Sequence, residues 1–262
     1  MSKRVVKTCL SLTLVSATSQ GFASGFAINE QSVSNMGTAF AGRSSSADDA
    51  STVFGNPAGM SRIKREQISG GISLIHAKTD IDNASGSATG SNDGDMVPFI
   101  GAPMGYYVKP LDDNWSVGLG LYVPFGLVTD YERSFQGRYH GDRSEVQVIT
   151  LQPTVSYRFN EQLSIGFGPT INRINGELTS AANDPLTGND GKVEIKGDDT
   201  ALGYNLGVLF EVTPQTRFGL TYHSKVDYRL KGDTKISGPG FIATSAGTYD
   251  ASLELTTPES VD

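Results

Sequence analysis

Cysteine is almost missing from this chain: Cys9 is the single one among 262 residues. That excludes a disulfide framework and a thiolate metal site. Beyond residue 25 there is no run of 18 apolar residues, so no segment of the main body can cross a bilayer as a helix. Positive charge is also scarce, 21 Lys and Arg against 28 Asp and Glu for a net −7. A basic footprint for nucleic acid is therefore lacking. Catalytic signatures are missing too: no Gly-x-Ser-x-Gly elbow, no HExxH and no Walker loop occurs. The three histidines, His76, His140 and His223, lie far apart. Asp80-x-Asp82-Asn83 faintly resembles a calcium loop, but Ala84 and Ser85 stand where further ligands and the turn glycine belong. A solvated surface loop is the better reading. No enzyme, cofactor or metal is expected.

What is present begins with residues 1–24. Lys3, Arg4 and Lys7 precede a short apolar core ending near Ala17, and Gly21-Phe22-Ala23-Ser24 offers a small-residue cleavage site. This is the layout of a secretory signal peptide. Its removal takes away three positive charges and Cys9, leaving a more acidic chain without cysteine. Residues 25–62 are rich in Gly, Ala, Ser and Asn and close on Asn56-Pro57-Ala58-Gly59-Met60. Pro57 removes a backbone donor and biases Asn56 toward an extended or turn conformation. The stretch reads either as a flexible tail or as a compact plug within whatever follows.

From Glu66 onward the sequence alternates with a period of two, a strand signature. Eight segments are legible. Ile68, Ile72 and Leu74 share a face in the first, and Ile100, Ala102, Met104, Tyr106 and Val108 in the second. The third carries Trp115, Val117, Leu119, Leu121 and Val123; the fourth runs over 149–159 and the fifth from Leu163. The sixth spans 202–212, the seventh Phe218 to Tyr228, and the eighth Tyr249 to Leu255. Connections alternate: residues 109–114, 160–162 and 213–215 are tight, whereas 80–96, 130–145, 179–198 and 232–247 are long and polar. Aromatics gather near strand ends, as at Tyr106, Tyr107, Tyr157 and Phe159. Short turns at one end, long loops at the other and an aromatic girdle describe a transmembrane antiparallel β-barrel, whose apolar face meets lipid. A soluble sandwich shares the alternation but not the loop asymmetry. The fold class is all-β.

Four blocks in order carry a resemblance: Asn29-Glu30-Gln31-Ser32, Gly37-x-Ala39-x-Ala41-Gly42, Ala47-Asp48-Asp49-Ala50-Ser51-Thr52, and Asn56-Pro57-Ala58-Gly59-Met60. With them the chain resembles the FadL-type long-chain fatty acid transporters of the Gram-negative outer membrane. The resemblance implies a barrel of about fourteen strands with an N-terminal plug, or hatch, in its lumen. Residues 1–24 would then be the signal, 25–65 the plug and 66–262 roughly the first eight strands of an incomplete barrel.

The resemblance also implies a function: passive uptake of long-chain fatty acids or related hydrophobic compounds, without nucleotide or metal, by a monomer embedded in outer-membrane lipid. Ligand would be captured by long loops, gated by the plug and released sideways through the wall. Asn56, Pro57 and Ala58 would anchor the plug. Pro124 and Gly126 could supply the wall kink, or merely start a loop. Phe241 and Ile242, apolar residues in a loop that should be polar, form either a landing site for ligand or a patch folded under its own loop. Arg173 is the expected carboxylate partner. Strict alternation would point it at lipid, and a bulge between Ile171 and Ile174 would swing it inward; otherwise it sits at the loop-side rim reaching headgroups. The rivals are a transporter of toluene-like aromatic hydrocarbons, a surface adhesin or receptor, and a soluble secreted lipid-binding protein.

Overall fold

A computed structural model describes residues 25–79, 81, 83, 86, 88–91, 96–183, 187–238 and 246–262. The expected signal peptide, Phe241 and Ile242 lie outside the described residues. Among them run β1 (Gln67–Ile75), β2 (Ile100–Pro110), β3 (Trp115–Asp130), β4 (Arg143–Arg158), β5 (Leu163–Asn183), β6 (Asp190–Thr213), β7 (Thr216–His223), β8 (Val226–Ser237), β9 (Gly247–Thr257) and β10 (Ser260–Val261). They form one antiparallel sheet in which β1 to β6 pair in sequence order. The far edge of β6 is shared: residues 205–213 pair with β7 and residues 192–198 with β8.

That shared edge corrects the seventh segment, which is two strands rather than one. At the junction Ser224 Oγ accepts the Tyr204 amide at 2.9 Å and the Ser224 amide returns to the Tyr204 carbonyl at 2.9 Å. The hydroxyl thereby takes a ladder position, and pairing with β6 lapses until Lys231 meets Asp198.

Residues 25–65 are not a strand. They make 3₁₀ turns at Asn35–Thr38 and Pro57–Arg62 and single helical turns at Arg43–Ser46 and Thr52–Gly55. Side chains from successive strands converge on them, so the sheet curves around this segment. Tyr106 Oη of β2 donates to the Gln31 carbonyl at 2.8 Å, Gln152 Nε2 of β4 to the Val53 carbonyl at 2.9 Å, and Thr221 Oγ1 of β7 to the Gly55 carbonyl at 2.8 Å. Ala50, Val53, Ala58 and Met60 have no exposed surface. Burying Val53 and Met60 contributes about 1.5–3 kcal/mol each before entropic costs. The approach is close enough to require glycine on the wall: a Cβ at Gly166 would collide with the backbone of Pro57 and Ala58.

The two faces of the sheet differ. Outward along β6 stand Leu202, Tyr204, Leu206, Val208 and Phe210, with Leu202 76% exposed; Ile68 of β1 is 79% exposed. A soluble sandwich would not leave so broad an apolar face uncovered. On β2 the expectation is reversed. Its apolar residues Ala102, Met104, Tyr106 and Val108 are buried, and all but Ala102 join a core cluster with Val53, Phe54 and Met60. Its outward positions are Gly101, Pro103, Gly105, Tyr107 and Lys109. The reason is local: β2 borders the N-terminal segment, and its apolar side covers that segment instead of facing outward.

Candidate functional site

The inner face carries two adjoining environments. Below is a cavity of about 200 Å³ between the N-terminal segment and the wall, lined among others by Ile28, Phe54, Tyr122, Phe125, Val226 and Tyr228. Much of its polar lining is already hydrogen-bonded, with His223 Nε2 an exception. Tyr122 Oη and Asn205 Nδ2 both donate to Gln152 Oε1, at 2.5 and 2.7 Å; Thr150 Oγ1 donates to Asn172 Oδ1 at 2.7 Å. These groups are fully buried or nearly so and, being satisfied, cost little to keep there. Above them Val148, Ile174, Val226, Tyr228 and Leu230 form an apolar cluster with Phe125, Val146 and Leu255 packed against it. It continues into a second recess of about 200 Å³ lined by Leu178, Ile195, Leu230, Leu253 and Leu255. The result is an apolar track running along the inner wall down to the N-terminal segment.

The track exists because the phase of the apolar pattern inverts along β4, β5 and β6 while the backbone alternation does not. On β5 the outward side changes from Ile165, Phe167 and Ile171 to Arg173, Asn175 and Glu177; the inward side changes from Gly166, Gly168 and Thr170 to Ile174, Gly176 and Leu178. Pairing of β5 with β6 runs without a shift from Leu163 to Asn183. The expected bulge between Ile171 and Ile174 is therefore not there. Arg173 faces outward, about half exposed, paired with Asp198 at 2.8 Å and Thr200 at 3.2 Å; Ile174 faces inward with no exposed surface.

The other anticipated residues fall in meaningful places. The β3–β4 register shifts between Tyr122 and Phe125, so a bulge holds Pro124, where a missing amide is tolerated. Pairing of β2 with β3 ends at Gly105 and Leu121. Above that point the wall parts, and a cavity of about 410 Å³ lies there, bordered by Ile28, Ile100, Ala102, Val123, Gly126 and Leu127. The N-terminal segment closes part of it: the Ile28 amide donates to the Pro124 carbonyl and the Gly126 amide to the Phe26 carbonyl, both at 2.9 Å. At the segment's base, Asn56 Oδ1 accepts the Ala58 amide at 3.0 Å while Nδ2 donates to the Ser44 carbonyl at 2.6 Å and the Val208 carbonyl of β6 at 3.0 Å. Asn56, Pro57 and Ala58 are buried.

Outside the strands, Arg138 and Tyr139 on the β3–β4 connection hold Asp190, at 2.6 and 2.7 Å. That hydrogen bond to a carboxylate pushes the Tyr139 hydroxyl up from its ordinary value.

Comparison with known proteins fits this architecture. Residues 14–262 match the model of the outer membrane protein transport protein family (OMPP1/FadL/TodX). The chain belongs to this family. It is an outer-membrane protein. The long-chain fatty acid transport protein of Escherichia coli O6:H1 is 28% identical, over 97% of this chain and 64% of its own length. Outer membrane protein P1 of Haemophilus influenzae is likewise 28% identical, over 97% and 64%. The chain thus spans just under two thirds of the length of these relatives. Among solved structures, a Pseudomonas aeruginosa FadL homologue superposes with a TM-score of 0.74 at 22% identity, over 90% of this chain and 64% of that one. The toluene transporter TodX of P. putida gives 0.51 at 18% identity, over 81% and 60%. At those identities the structures speak for the fold, a β-barrel.

Reading the sequence for one lipid-facing apolar face per strand does not place Ile174, Leu178, Ile195, Leu230 and Leu253 together on the inner wall. The signal was available: each is an apolar residue between charged or polar neighbours, as in Arg173-Ile174-Asn175 and Arg229-Leu230-Lys231.

Proposed function

We propose that the protein takes up long-chain fatty acids or related hydrophobic compounds passively across the outer membrane, as a transporter and not an enzyme. The inward apolar track carries this reading. A lumen that only passed water and solutes would keep polar residues inward at the level of Ile174, Leu230 and Leu253. An apolar chain lying on them would remove that surface from water, at about 25 cal/mol per Å². On this reading residues 25–65 are the plug, seated by Asn56-Pro57-Ala58, and residues 66–262 are wall. The parted wall beside Pro124 and Gly126 is the sideways exit, held shut by Phe26 and Ile28.

The aromatic-hydrocarbon reading stands beside it, because Arg173 faces away from the track and so gives no reason to prefer an acid. The test is a titration of the full-length protein, purified from outer membrane in detergent, with labelled oleate and with toluene as competitor. Saturable oleate binding, weakened by Leu253→Glu, is the expected result. Oleate binding abolished by modest toluene would favour the hydrocarbon. Saturable binding of neither would overturn the transport reading.

A further inference from the structure

Arg43 has a setting that the transport reading does not use. It opens the helical turn Arg43–Ser46 of the N-terminal segment, and among the described residues it is the only Arg or Lys lining the lower cavity. Its Nη2 contacts Asp262 Oδ2 at 2.7 Å, the guanidinium lies 5.2 Å over the Phe54 ring, and its side chain is 14% exposed. Phe54 in turn stacks near Tyr122 and His223, each at 5.0 Å. Arg43 and Asp262, with Asn29, also line a neighbouring cavity of about 370 Å³ bordered by Ala39, Phe40 and Ser44. The ion pair is thus part of the partition between the two cavities.

We infer that Arg43 is the head-group partner for an anionic amphiphile, and that a ligand carboxylate displaces Asp262 from it and so opens the partition. This rests on the proposed transport of hydrophobic compounds and names the chemistry of their polar end. Three observations support it. A guanidinium pairs with a carboxylate in a fork of parallel donors, and within the described residues Asp262 is the sole hydrogen-bond partner of the Arg43 side chain. One carboxylate can therefore be exchanged for another without leaving the buried cation unpaired, which would be the costly alternative. The displaced Asp262 has somewhere to go: His223 Nε2 lies 3.6 Å from Asp262 Oδ2 and is buried without a hydrogen-bond partner. Finally, the chain leading into Arg43 is held in left-handed conformations at Ala39 (φ 50°), Phe40 (φ 63°) and Gly42 (φ 75°). A bulky residue such as Phe40 adopts that region only under constraint from its surroundings, here the turn's bonds from the Phe40 amide to the Asn35 carbonyl and from the Arg43 amide to the Phe40 carbonyl, so Arg43 follows directly on a strained turn.

The test compares oleate with oleyl alcohol, which shares its tail and lacks its charge, on the full-length protein in detergent. Heat-modifiable electrophoretic migration checks that each variant is folded. Arg43→Gln should weaken oleate roughly ten- to a hundredfold and shift the alcohol less than about twofold. Arg43→Lys, which keeps the charge, should restore most of the preference for oleate. Asp262→Asn, which removes the competing carboxylate, should tighten oleate several-fold. Equal weakening of both ligands by Arg43→Gln, or no change in either, would overturn the assignment. So would an Asp262→Asn variant with unaltered oleate affinity. Failure of the wild type to bind either ligand would instead overturn the transport reading on which the assignment rests.

Discussion

The lower and upper halves of β4, β5 and β6 are built from the same backbone and opposite sequence patterns. In the lower half the apolar residues point out, as Leu151, Phe167 and Leu206 do, and the inward positions are small or polar, such as Gln152, Gly166 and Gly207. Those inward positions receive the N-terminal segment, whose Val53, Ala58 and Met60 are fully enclosed. In the upper half the outward positions are Glu145, Arg173 and Asp198, and the inward ones Val148, Ile174 and Ile195. Among the described residues, no peptide fills that space. The difference separates structure from proposed use: below, the N-terminal segment covers the inner wall, whereas above, the described residues leave apolar surface that the proposed ligand would cover. The outward pattern agrees, because an apolar band meets hydrocarbon and the charged extension above it stands clear of it.

Substitutions on the lower half should therefore break the fold, and those on the upper half should change binding. Met60→Ala removes a fully buried side chain and is expected to cost about 2–5 kcal/mol, read from denaturant unfolding in detergent. Asn56→Ala would orphan the Ala58 amide and take a side-chain donor away from the Ser44 and Val208 carbonyls, at about 1–3 kcal/mol by the same measurement. On the upper half, Leu253 is half exposed already. Leu253→Ala should leave unfolding almost unchanged while weakening oleate roughly three- to tenfold. If Leu253→Ala instead destabilised the protein as much as Met60→Ala, the contrast between the halves would be lost.

Arg173→Ala sharpens the comparison from outside. An exposed pair such as Arg173–Asp198 contributes about 0–1 kcal/mol, so stability should hardly move and oleate affinity should stay within about twofold. A large loss of oleate affinity in this variant would return Arg173 to the lumen. The smallest effect concerns the tie above the wall. The Tyr139 hydroxyl, raised by its bond to Asp190, favours its neutral form in the folded protein. Its contribution is then present below the ordinary tyrosine value of about 10 and is lost as pH rises through the higher folded value. Absorbance titration near 295 nm, wild type against Tyr139→Phe, should show one tyrosine ionising late; ionisation at the ordinary value would remove the tie from the account.

Much of this was legible in the residues, and what was not has physical reasons. Period-two alternation located the strands but not their ends: residues 179–183, 190–198 and 232–237, expected as loop, belong to β5, β6 and β8. The Asn56-Pro57-Ala58 turn and the irregular stretch around it could be read because proline and small residues restrict the alternatives. Pro124 within an apolar run suits a wall kink or the start of a loop, and the structure has a register shift there, between Tyr122 and Phe125. The phase inversion escaped because each strand was assigned one apolar face throughout, an assumption that fails where strands run well past the membrane. Arg173 was misplaced for that reason: an outward arginine is costly in hydrocarbon but not above it. The break between β7 and β8 depends on one hydroxyl, Ser224, standing in for a ladder partner, and nothing in the local pattern announces that. Arg43 was passed over because its meaning comes from Asp262, 219 residues away.

The most direct test of the central contrast is photo-crosslinking with a fatty acid bearing a diazirine on its tail, applied to the full-length protein in outer-membrane vesicles. Adducts would be mapped by mass spectrometry with and without excess unlabelled oleate. The account predicts that the competed adducts fall on Ile195, Tyr228, Leu230 and Leu253 of the inner wall. Competed adducts confined to the outward band, on Leu202, Tyr204 and Leu206, would contradict it.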